Sequence, residues 1–308
     1  MPQQLSKKES TAAVPACAPA PRRAGTTSVP LAMTDRDDER EVLAFLAERP
    51  VHTVVMSGYI RDNGLESPFN RGTFYACRDE EGRLQGVALI GHAMFVEART
   101  EAALEAFARL AQRHRTTHML LGEQDVIRRF WAYYGEAGQV PRLFCRELLF
   151  EQRWPVEARP AVEGLRLATL DDLMLVMPVH AALAYEESGV NPLEADLAGF
   201  RLRCARRIEQ GRVWVMVRDG HLIFKADVIS DTPECVYIEG LYVDPLERRK
   251  GHGLACLSQM TRRLLKPGGV VCALANEQNL GAQALLERAG FRLRGNYDTV
   301  FLEQGGTE

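Results

Sequence analysis

The sequence has no long apolar run. None approaches the roughly 18 residues needed to span a bilayer, and the N-terminus lacks the apolar centre of a secretion signal. Net charge is also small, since 38 basic residues stand against 41 acidic ones and the formal charge is −3. A balanced charge gives no general attraction to nucleic acid or to anionic membranes. We therefore expect a cytoplasmic protein that binds neither, with its electrostatic functions confined to local features.

The cysteines and histidines lack the spacing of a metal site. Seven cysteines are scattered through the chain and none forms a CxxC pair, so we expect most of them to be small buried hydrophobic residues. Cys256 follows a glycine-rich loop, but no histidine stands in a motif-like relation to it, and a nucleophilic role is the less favoured interpretation. His114 and His118, four residues apart in a polar stretch, are a weak exception. The sequence predicts no bound metal.

Composition divides the chain into four parts. Residues 1–36 are rich in Ala, Pro, Ser and Thr without apolar periodicity, which predicts a disordered tail. A second break is the polar, proline-containing stretch 153–163, which is the predicted linker. The bounds that follow are an N-terminal domain over 37–152 and a C-terminal domain over 164–304.

The same plan of elements occurs in both halves. The segments "GTFYACRDEEGRLQGVALIG" and "GRVWVMVRDGHLIFKADVIS" each read as two strands joined by a turn, and Asp219-Gly220 is a strong hairpin signal because both residue types tolerate positive φ. Each hairpin is followed by a strand that runs into a helix. This order predicts an α/β (α+β) fold with helices on both faces of a sheet, and it weakly supports a fold that occurs twice. In the second half we predict strands near 165–168, 213–217, 222–229, 236–243 and 270–274, and helices near 170–186, 194–209, 253–265 and 280–289.

The most informative stretch is "ERRKGHGLACLSQM", which begins at Glu247 and follows a predicted strand. Three cations and two glycines there precede a helix, whose N-terminus offers unpaired N–H groups and a positive dipole end to a phosphate. A dinucleotide fingerprint needs a third glycine where Cys256 stands, and the P-loop pattern is absent. What remains is R-x-x-G-x-G from Arg248 to Gly253, which also fits a basic surface turn that caps a helix.

The surroundings of this loop resemble a known family. "GLYVDPLERRKGHGLACL" followed by "NLGAQALLERAGFRLRG" is similar to the two ordered motifs of the GNAT superfamily of acyl-CoA N-acyltransferases. The resemblance covers about residues 160–304, and the first half resembles the N-terminal domain of tandem GNAT proteins. It implies two GNAT-like domains, each a mixed, mostly antiparallel sheet flanked by helices. The matching residues are Leu241, Val243, Pro245, Arg248, Gly251 and Gly253 in the first motif, and Asn279, Ala282, Leu285, Gly290 and Phe291 in the second.

The resemblance also implies where acetyl-CoA, the acyl donor, would bind. Backbone amides of residues 249–254 would hold the pyrophosphate, and the pantetheine arm would run as an extra strand beside Leu241–Val243. Asn279 would bind near the thioester, and Arg249 stands where the family often has glycine. The implied donor-binding residues are Leu241, Tyr242, Val243, Arg248, Arg249, Lys250, Gly251, His252, Gly253, Leu254 and Asn279.

Transfer to an amine requires a group that removes its proton. Glu239, in the predicted strand beside the donor, is the candidate base, and the competing interpretation is that it faces solvent or pairs with an arginine. Glu186 and Glu187 are the second choice, or they bind a cationic acceptor, or they form a solvated face. The family's usual acid is a tyrosine, but here Leu286 occupies that position within an ordinary core stripe. Tyr242 or Tyr297 replaces it, or the thiolate leaves without an acid.

Two functions are therefore open. The first is an acetyl-CoA-dependent N-acetyltransferase that acts on an amine of a small molecule, peptide or protein. The alternative is a catalytically weak CoA-binding regulatory module. The N-terminal half lacks the R-x-x-G-x-G pattern and has Glu101 at the start of the comparable helix, so we expect it to shape the acceptor cleft or an interface rather than to bind CoA. Whether the chain forms a homodimer stays open.

Overall fold

The computed structural model describes residues 29–33, 36–114, 116–157 and 159–303. Most of the predicted tail therefore lies outside the described residues. Within its described part, Leu31–Ala32 form a short strand and Met33 is buried. The prediction of disorder is wrong there, because this segment pairs with a later strand of the sheet.

The N-terminal half contains six strands and four α-helices in its described residues. They are β1 (Leu31–Ala32), α1 (Arg36–Ala47), α2 (Val54–Asn63), β2 (Gly72–Arg78), β3 (Leu84–Gly91), β4 (Ala93–Ala98), α3 (Glu101–Ala111), β5 (Met119–Glu123), α4 (Gln124–Tyr134) and β6 (Pro141–Gln152). The hairpin β2–β3, followed by β4 and then α3, is the order that the sequence predicted.

The C-terminal half repeats that order. Its elements are β7 (Leu165–Leu167), α5 (Leu173–Ser188), α6 (Pro192–Ala195), α7 (Leu197–Glu209), β8 (Val213–Arg218), β9 (His221–Asp231), β10 (Cys235–Val243), α8 (His252–Leu264), β11 (Val270–Asn276), α9 (Leu280–Arg288) and β12 (Arg292–Leu302). Each predicted strand and helix of this half is confirmed, with small shifts at the ends. Asp219 and Gly220 both have positive φ, 51° and 75°, as their hairpin turn requires.

All twelve strands belong to one sheet, in the order β1-β2-β3-β4-β5-β12-β6-β11-β10-β9-β8-β7. The strands on the two sides of this order correspond to each other when counted outward from its middle. An approximate two-fold axis therefore lies between β12 and β6. Each half contributes its last strand to the other, because β12 pairs with β5 and β6 pairs with β11. Among the strand pairs of the described residues, only β4–β5 and β10–β11 are parallel, so the sheet is mixed and mostly antiparallel, as predicted. The predicted domains follow the order of the chain. In the structure, each half of the sheet instead pairs with the last strand of the other half.

Helices cover both faces of the sheet. In the C-terminal half, α8 and α9 pack on one face, which we call the back face, around Phe224, Met260 and Phe291. Helices α5 and α7 pack on the other, the front face, over Val213 and Val215. Helix α2 of the N-terminal half also lies on β9 and β10. Thus the first half supports the strands that carry the predicted site.

The contact between α2 and β9 gives a test of this arrangement. A Cβ added at Gly58 would lie 2.4 Å from Ser230 Oγ and 2.6 Å from Ser230 Cβ. We expect Gly58→Ala to lower the free energy of unfolding by about 1–3 kcal/mol, because overpacking outweighs the better helix propensity of alanine. Urea denaturation measures this. Gly281→Ala is the matched control, since its nearest neighbour is 3.6 Å away. Equal stabilisation of both variants would contradict the packing.

Candidate functional site

Strands β10 and β11 separate in the middle of the sheet. They pair in parallel from Cys235 and Val270 only as far as Ile238 and Ala273. Beyond that point β10 continues to Val243, still paired on its other edge with β9 through a bulge after Glu239. The edge of β10 that faces β11 then has no strand partner in the described residues. The result is a wedge-shaped opening that exposes backbone groups able to pair with an extended ligand.

A buried ion pair holds the bulge that accompanies this opening. Lys225, which is 0% exposed, has its Nζ 2.6 Å from Asp227 Oδ2 and 3.3 Å from the carbonyl oxygen of Gly240. Burial lowers the pKa of Lys225, and the charge of Asp227 opposes that shift. Gly240 has φ +61°, and a Cβ there would lie 2.7 Å from both Lys225 Nζ and Asp227 Oδ2. Only glycine fits this position.

Asp227 has a second partner on the front face. His180 of α5 lies with Nε2 2.7 Å from Asp227 Oδ2. Burial alone would raise the pKa of Asp227, but the charges of Lys225 and His180 outweigh it and hold that pKa below its usual range. The carboxylate therefore stays ionised and joins α5 to β9.

Three carboxyl groups converge on the front face beside the opening. They are Glu239 of β10, Glu187 of α5 and Glu147 of β6, and we call them the carboxylate cluster. Burial raises the pKa of Glu187 to about 8, with further increases from Glu239 and Glu147. Burial also raises the pKa of Glu147 to about 7, although a hydrogen bond with Asn276 opposes the shift. Such groups can exchange a proton near neutral pH.

Glu239 lies at the floor of this cleft. Its side chain is open to solvent on one side, yet burial raises its pKa, and the nearby Arg207 opposes that rise. The hydroxyl of Tyr237 donates a hydrogen bond to Glu239 Oε2 at 3.3 Å. Neither solvent exposure alone nor a simple arginine pair describes this residue, because the charges of Asp227 and Lys225 also act on its pKa.

The cluster contains two of the predicted residues and one that the sequence did not reveal. Glu239 and Glu187 come together. All three predicted glutamates have exposed surface, but Glu186 is not among the charges that shift the pKa of Glu187. Glu147 belongs to the N-terminal half and reaches the cleft only because β6 pairs with β11, where it stands opposite Asn276. No local pattern in the sequence indicates that pairing.

The basic loop lies at the back-face end of the opening. Helix α8 begins at His252 with Gly251 as its N-cap at φ +90°, and no side chain caps it. Within the described part of the chain, no protein acceptor is bonded to the backbone N–H groups of residues 248–254. The side chains of Arg248, Arg249 and Lys250 are exposed. Unpaired amides and cations in this arrangement are typical of an anion site at a helix N-terminus.

Two residues of the loop, Gly253 and Arg249, have structural features that the glycine pattern alone does not indicate. A Cβ at Gly253 would lie 2.9 Å from Val243 Cγ2, so this glycine allows α8 to pack against β10. Arg249 has φ +65°, a left-handed conformation that explains why glycine suits this position. Glu247 forms an ion pair with Lys250 at 2.8 Å, which partly offsets the positive charge, and its Oε2 lies 3.2 Å from His252 Nε2.

The remaining predicted residues lie at different distances from the opening. Asn279 is exposed and caps α9, accepting a hydrogen bond from the Ala282 N–H at 3.0 Å. Leu286 is fully buried in the back-face core, as its helical spacing predicted. Tyr242 is half-buried on the unpaired part of β10, and burial raises its pKa. Leu241 and Val243 pack toward the back face, where they and Leu254 border the same core.

Tyr297 is not brought to this opening. It lies on β12, three strands from β10, or about 14 Å at the usual strand spacing. Its hydroxyl is 2.6 Å from His52 Nδ1. It lines a cavity at the approximate two-fold axis that encloses about 590 Å³, including open solvent, between Phe95, Leu121, Leu149 and Tyr237. The lining of this cavity includes Glu97 beside the opening of the N-terminal half, and also Tyr237 of β10 and Leu274 of β11.

The N-terminal half has a similar opening, but its own side chains occupy it. Strands β4 and β5 pair only at Ala93–Met119 and Met94–Leu120. Glu97 lies beyond this pairing in β4, as Glu239 does in β10. Arg49 donates hydrogen bonds to the two carboxylate oxygens of Glu97 at 3.0 and 3.2 Å. At the start of α3, Glu101 pairs with Arg129 at 2.6 Å. An anion at this helix would meet a carboxylate, so the second opening lacks an equivalent anion site.

Metal-binding side-chain groups and membrane-spanning helices are both absent from the described residues. No group of three or more His, Cys, Asp or Glu side chains there is arranged to hold a metal ion. Among the helices of that same part of the chain, none combines the length and the apolar character needed to cross a bilayer.

Comparison with known proteins agrees with this geometry. Residues 181–291 match the family described as Acetyltransferase (GNAT) family. No curated protein matches the sequence at a significant level. Among solved structures, a Drosophila protein superposes with a TM-score of 0.66 at 13% identity, covering 91% of this chain and 99% of that one. Identities this low establish likeness of fold.

Two other structures carry descriptive titles. A tandem GNAT protein from the clavulanic acid biosynthesis pathway gives a TM-score of 0.55 at 17% identity, covering 91% of this chain and 99% of its own. A GCN5-related N-acetyltransferase from Sphaerobacter thermophilus gives 0.54 at 13% identity, with coverage of 90% and 96%. Because these matches extend over both halves, the fold of two GNAT-like domains is confirmed.

The raised pKa of Glu187 predicts a pH-dependent change in stability. When the pKa of a carboxyl rises on folding, the folded state loses stability as pH increases. For Glu187 this loss occurs between its unfolded pKa, about 4.5, and its folded pKa, about 8. Glu187→Gln should therefore raise Tm at about pH 8.5 and leave it unchanged at about pH 5, by a modest amount because the side chain meets solvent. Thermal unfolding at both pH values measures this. Glu186→Gln is the control, and the same increase in both variants would contradict the cluster.

Proposed function

We propose that the protein transfers an acetyl group from acetyl-CoA to an amine. The match of residues 181–291 to the GNAT acetyltransferase family supports this proposal. The observation that carries the proposal is the continuous path from the free amides of α8, along the unpaired edge of β10, to the carboxylate cluster. Acyl transfer in general follows from the family. The donor and the amine acceptor are the proposed part.

The path fits the chemical groups of acetyl-CoA. The pyrophosphate would lie against the amides of residues 249–254, where no protein acceptor in the described residues competes for them. The exposed Arg248, Arg249 and Lys250 add charge, each worth about 0.3–1 kcal/mol at a surface. The pantetheine amides would bond to Leu241–Val243 as an added strand. Asn279, whose side-chain oxygen caps α9, would have its amide N–H groups available near the thioester.

The carboxylate cluster supplies the acid–base chemistry. A primary amine with a pKa of about 10.4 is mostly protonated at pH 7, which costs about 4–5 kcal/mol to reverse. Glu239, adjacent to the unpaired edge of β10, would take that proton, while the carboxyl oxygens of Glu187 and Glu147 would accept hydrogen bonds from the amine. The neutral nitrogen then attacks the thioester carbon, and a backbone N–H near Tyr242 would stabilise the oxyanion. The C–S bond breaks and the departing thiolate takes a proton, for which Tyr242 is the nearest candidate donor.

The second candidate is a CoA-binding regulatory module with little turnover. The buried Leu286 favours it, since no hydroxyl is available at that position to protonate the thiolate. The cluster favours the enzyme, because carboxyl pKa values near 7 and 8 suit proton transfer at physiological pH. The proposed acceptors remain amines of a small molecule, peptide or protein. A cytoplasmic location and the absence of nucleic-acid and membrane partners also remain proposals.

Substitution of the proposed base tests the enzyme against the module. For the wild type we expect thiol release from acetyl-CoA with an amine panel. We expect kcat/KM to rise with pH above the ordinary carboxyl range, because burial raises the pKa of Glu239 and the base must be ionised to accept a proton. Glu239→Gln should lower kcat/KM about a hundredfold or more and flatten that rise. Glu186→Gln is the control. Tight CoA binding without release from any amine would favour the module, and an unchanged pH profile in Glu239→Gln would remove this residue as base.

Equilibrium binding tests the proposed pyrophosphate site. CoA should bind about a hundredfold more tightly than pantetheine, which lacks the pyrophosphate, because several amides and cations act together. Arg249→Gly keeps the backbone amide and relieves the left-handed strain, so CoA affinity should change by no more than about threefold if the amides dominate. Calorimetric titration measures both ratios. Equal affinity for CoA and pantetheine would exclude this site.

A further inference from the structure

A group of arginines with few ionic partners faces the cleft between the two halves. We call Arg71, Arg142, Arg203 and Arg206 the arginine cluster. Among the described residues, only Arg203 forms an ion pair, with Asp196 at 3.0 Å. Arg142 donates to the carbonyl oxygen of Ser188 at 2.6 Å. Arg206 stacks on the Phe69 ring at 3.5 Å and bonds to Asn63 Oδ1 at 2.8 Å.

Arg71 is the least compensated member. The backbone of Arg71 has φ +52°, and its carbonyl oxygen accepts a hydrogen bond from the His92 N–H at 2.8 Å. This bond fixes the backbone from which the side chain starts. The residue as a whole is exposed, but neighbouring groups partly enclose its guanidinium, which forms no ion pair or hydrogen bond with the described residues. Burial lowers the pKa of Arg71 and repulsion from Arg203 lowers it further, partly offset by Tyr59 and Asp196.

The two histidines beside Arg71 add polar groups without adding charge. The rings of His92 and His118 stack with centroids 5.1 Å apart. Burial lowers the pKa of His92 to about 4, with further reductions from Arg71 and His118, so the ring is neutral at pH 7. His118 Nδ1 is buried without a hydrogen-bond partner. Like charges and an unpaired polar atom held together in this way are stabilised by a bound anion.

The arginine cluster and the carboxylate cluster lie across the same cleft. Ser188, which accepts from Arg142, directly follows Glu187 in α5. The Cys145 thiol is close enough to Glu147, Glu187 and Arg142 for all three charges to act on its pKa, which burial raises most. Tyr59 of α2 is likewise within range of Arg71, Arg207 and Glu239. The cleft therefore has an acidic end and a basic end.

We propose that the acceptor is a zwitterion, whose amine lies at the carboxylate cluster and whose carboxylate or phosphate lies at Arg71 and Arg203. This inference rests on the proposed N-acetyltransferase function, because it names the class of amine that the same site accepts. A bidentate guanidinium–oxyanion pair gives both affinity and a fixed orientation. The neutral histidines provide further hydrogen-bonding groups for the same anion.

Matched pairs of amines test the proposal. The first pair is hexylamine and ε-aminocaproate, and the second is ethanolamine and phosphoethanolamine, so each pair differs by one anionic group. We expect kcat/KM to be about tenfold or more higher for the anionic member of at least one pair, since hydrogen bonds to charged groups contribute about 1.5–3 kcal/mol. The pair with the larger ratio distinguishes carboxylate from phosphate.

Variants of Arg71 assign the effect to the arginine cluster. Arg71→Gln should lower kcat/KM for the anionic members about tenfold and leave the neutral members unchanged, while Arg71→Lys should restore part of the loss. Arg83→Gln is the control, because Arg83 lies at the opposite end of the β2–β3 hairpin and is 72% exposed. Equal rates for both members of each pair, or a loss of equal size for both in Arg71→Gln, would overturn the inference while leaving the proposed function intact.

Binding measurements without acetyl-CoA distinguish a failure of the proposed function from a failure of this inference. If no amine releases thiol from acetyl-CoA, the proposed function fails, and calorimetric titration of ε-aminocaproate and phosphoethanolamine then decides the inference alone. Binding of either compound that is weakened about tenfold by Arg71→Gln, and not by Arg83→Gln, would support the anion site. Binding no tighter than that of hexylamine and ethanolamine would reject it.

Discussion

The site depends on the buried contact among Lys225, Asp227 and the carbonyl group of Gly240. A buried ion pair costs several kcal/mol per ion in desolvation, so it is a poor way to increase stability. Here it fixes a bulge at the point where β10 leaves β11. Glu239 lies on the front face at this bulge, and the residues after it remain paired with β9 but have no strand partner on the edge toward β11 in the described residues. Both the proposed donor track and the proposed base follow from this one distortion.

The exchange of terminal strands makes the two halves parts of one site. Because β6 pairs with β11, the N-terminal half supplies Glu147 to the carboxylate cluster. It also supplies Arg71 and Arg142 to the opposite end of the cleft. The equivalent opening in the N-terminal half is filled by Arg49 and Glu97, with Glu101 at the helix start. Under the proposed function, the two copies of one fold would have different roles: one would offer a donor path, and the other would complete the acceptor cleft.

Local sequence patterns predicted the parts of the structure that local forces determine. The Asp219-Gly220 turn, the helix after Gly251 and the core position of Leu286 follow from backbone preference and helical periodicity. The pairing of β6 with β11 could not be predicted in this way, because strands distant in sequence choose partners through tertiary packing. Glu147 was missed for that reason. The short strand at Leu31–Ala32 was missed because it pairs at an edge and has too few residues for a pattern.

Hydrogen exchange with and without CoA tests the central claim most directly. If the pyrophosphate rests on the start of α8 and the pantetheine arm pairs with β10, CoA should slow exchange of the amides in residues 249–254 and 241–243. The amides of residues 101–104, at the start of the comparable helix α3, should be unaffected. Unchanged exchange at the start of α8, or protection at α3 instead, would contradict the account.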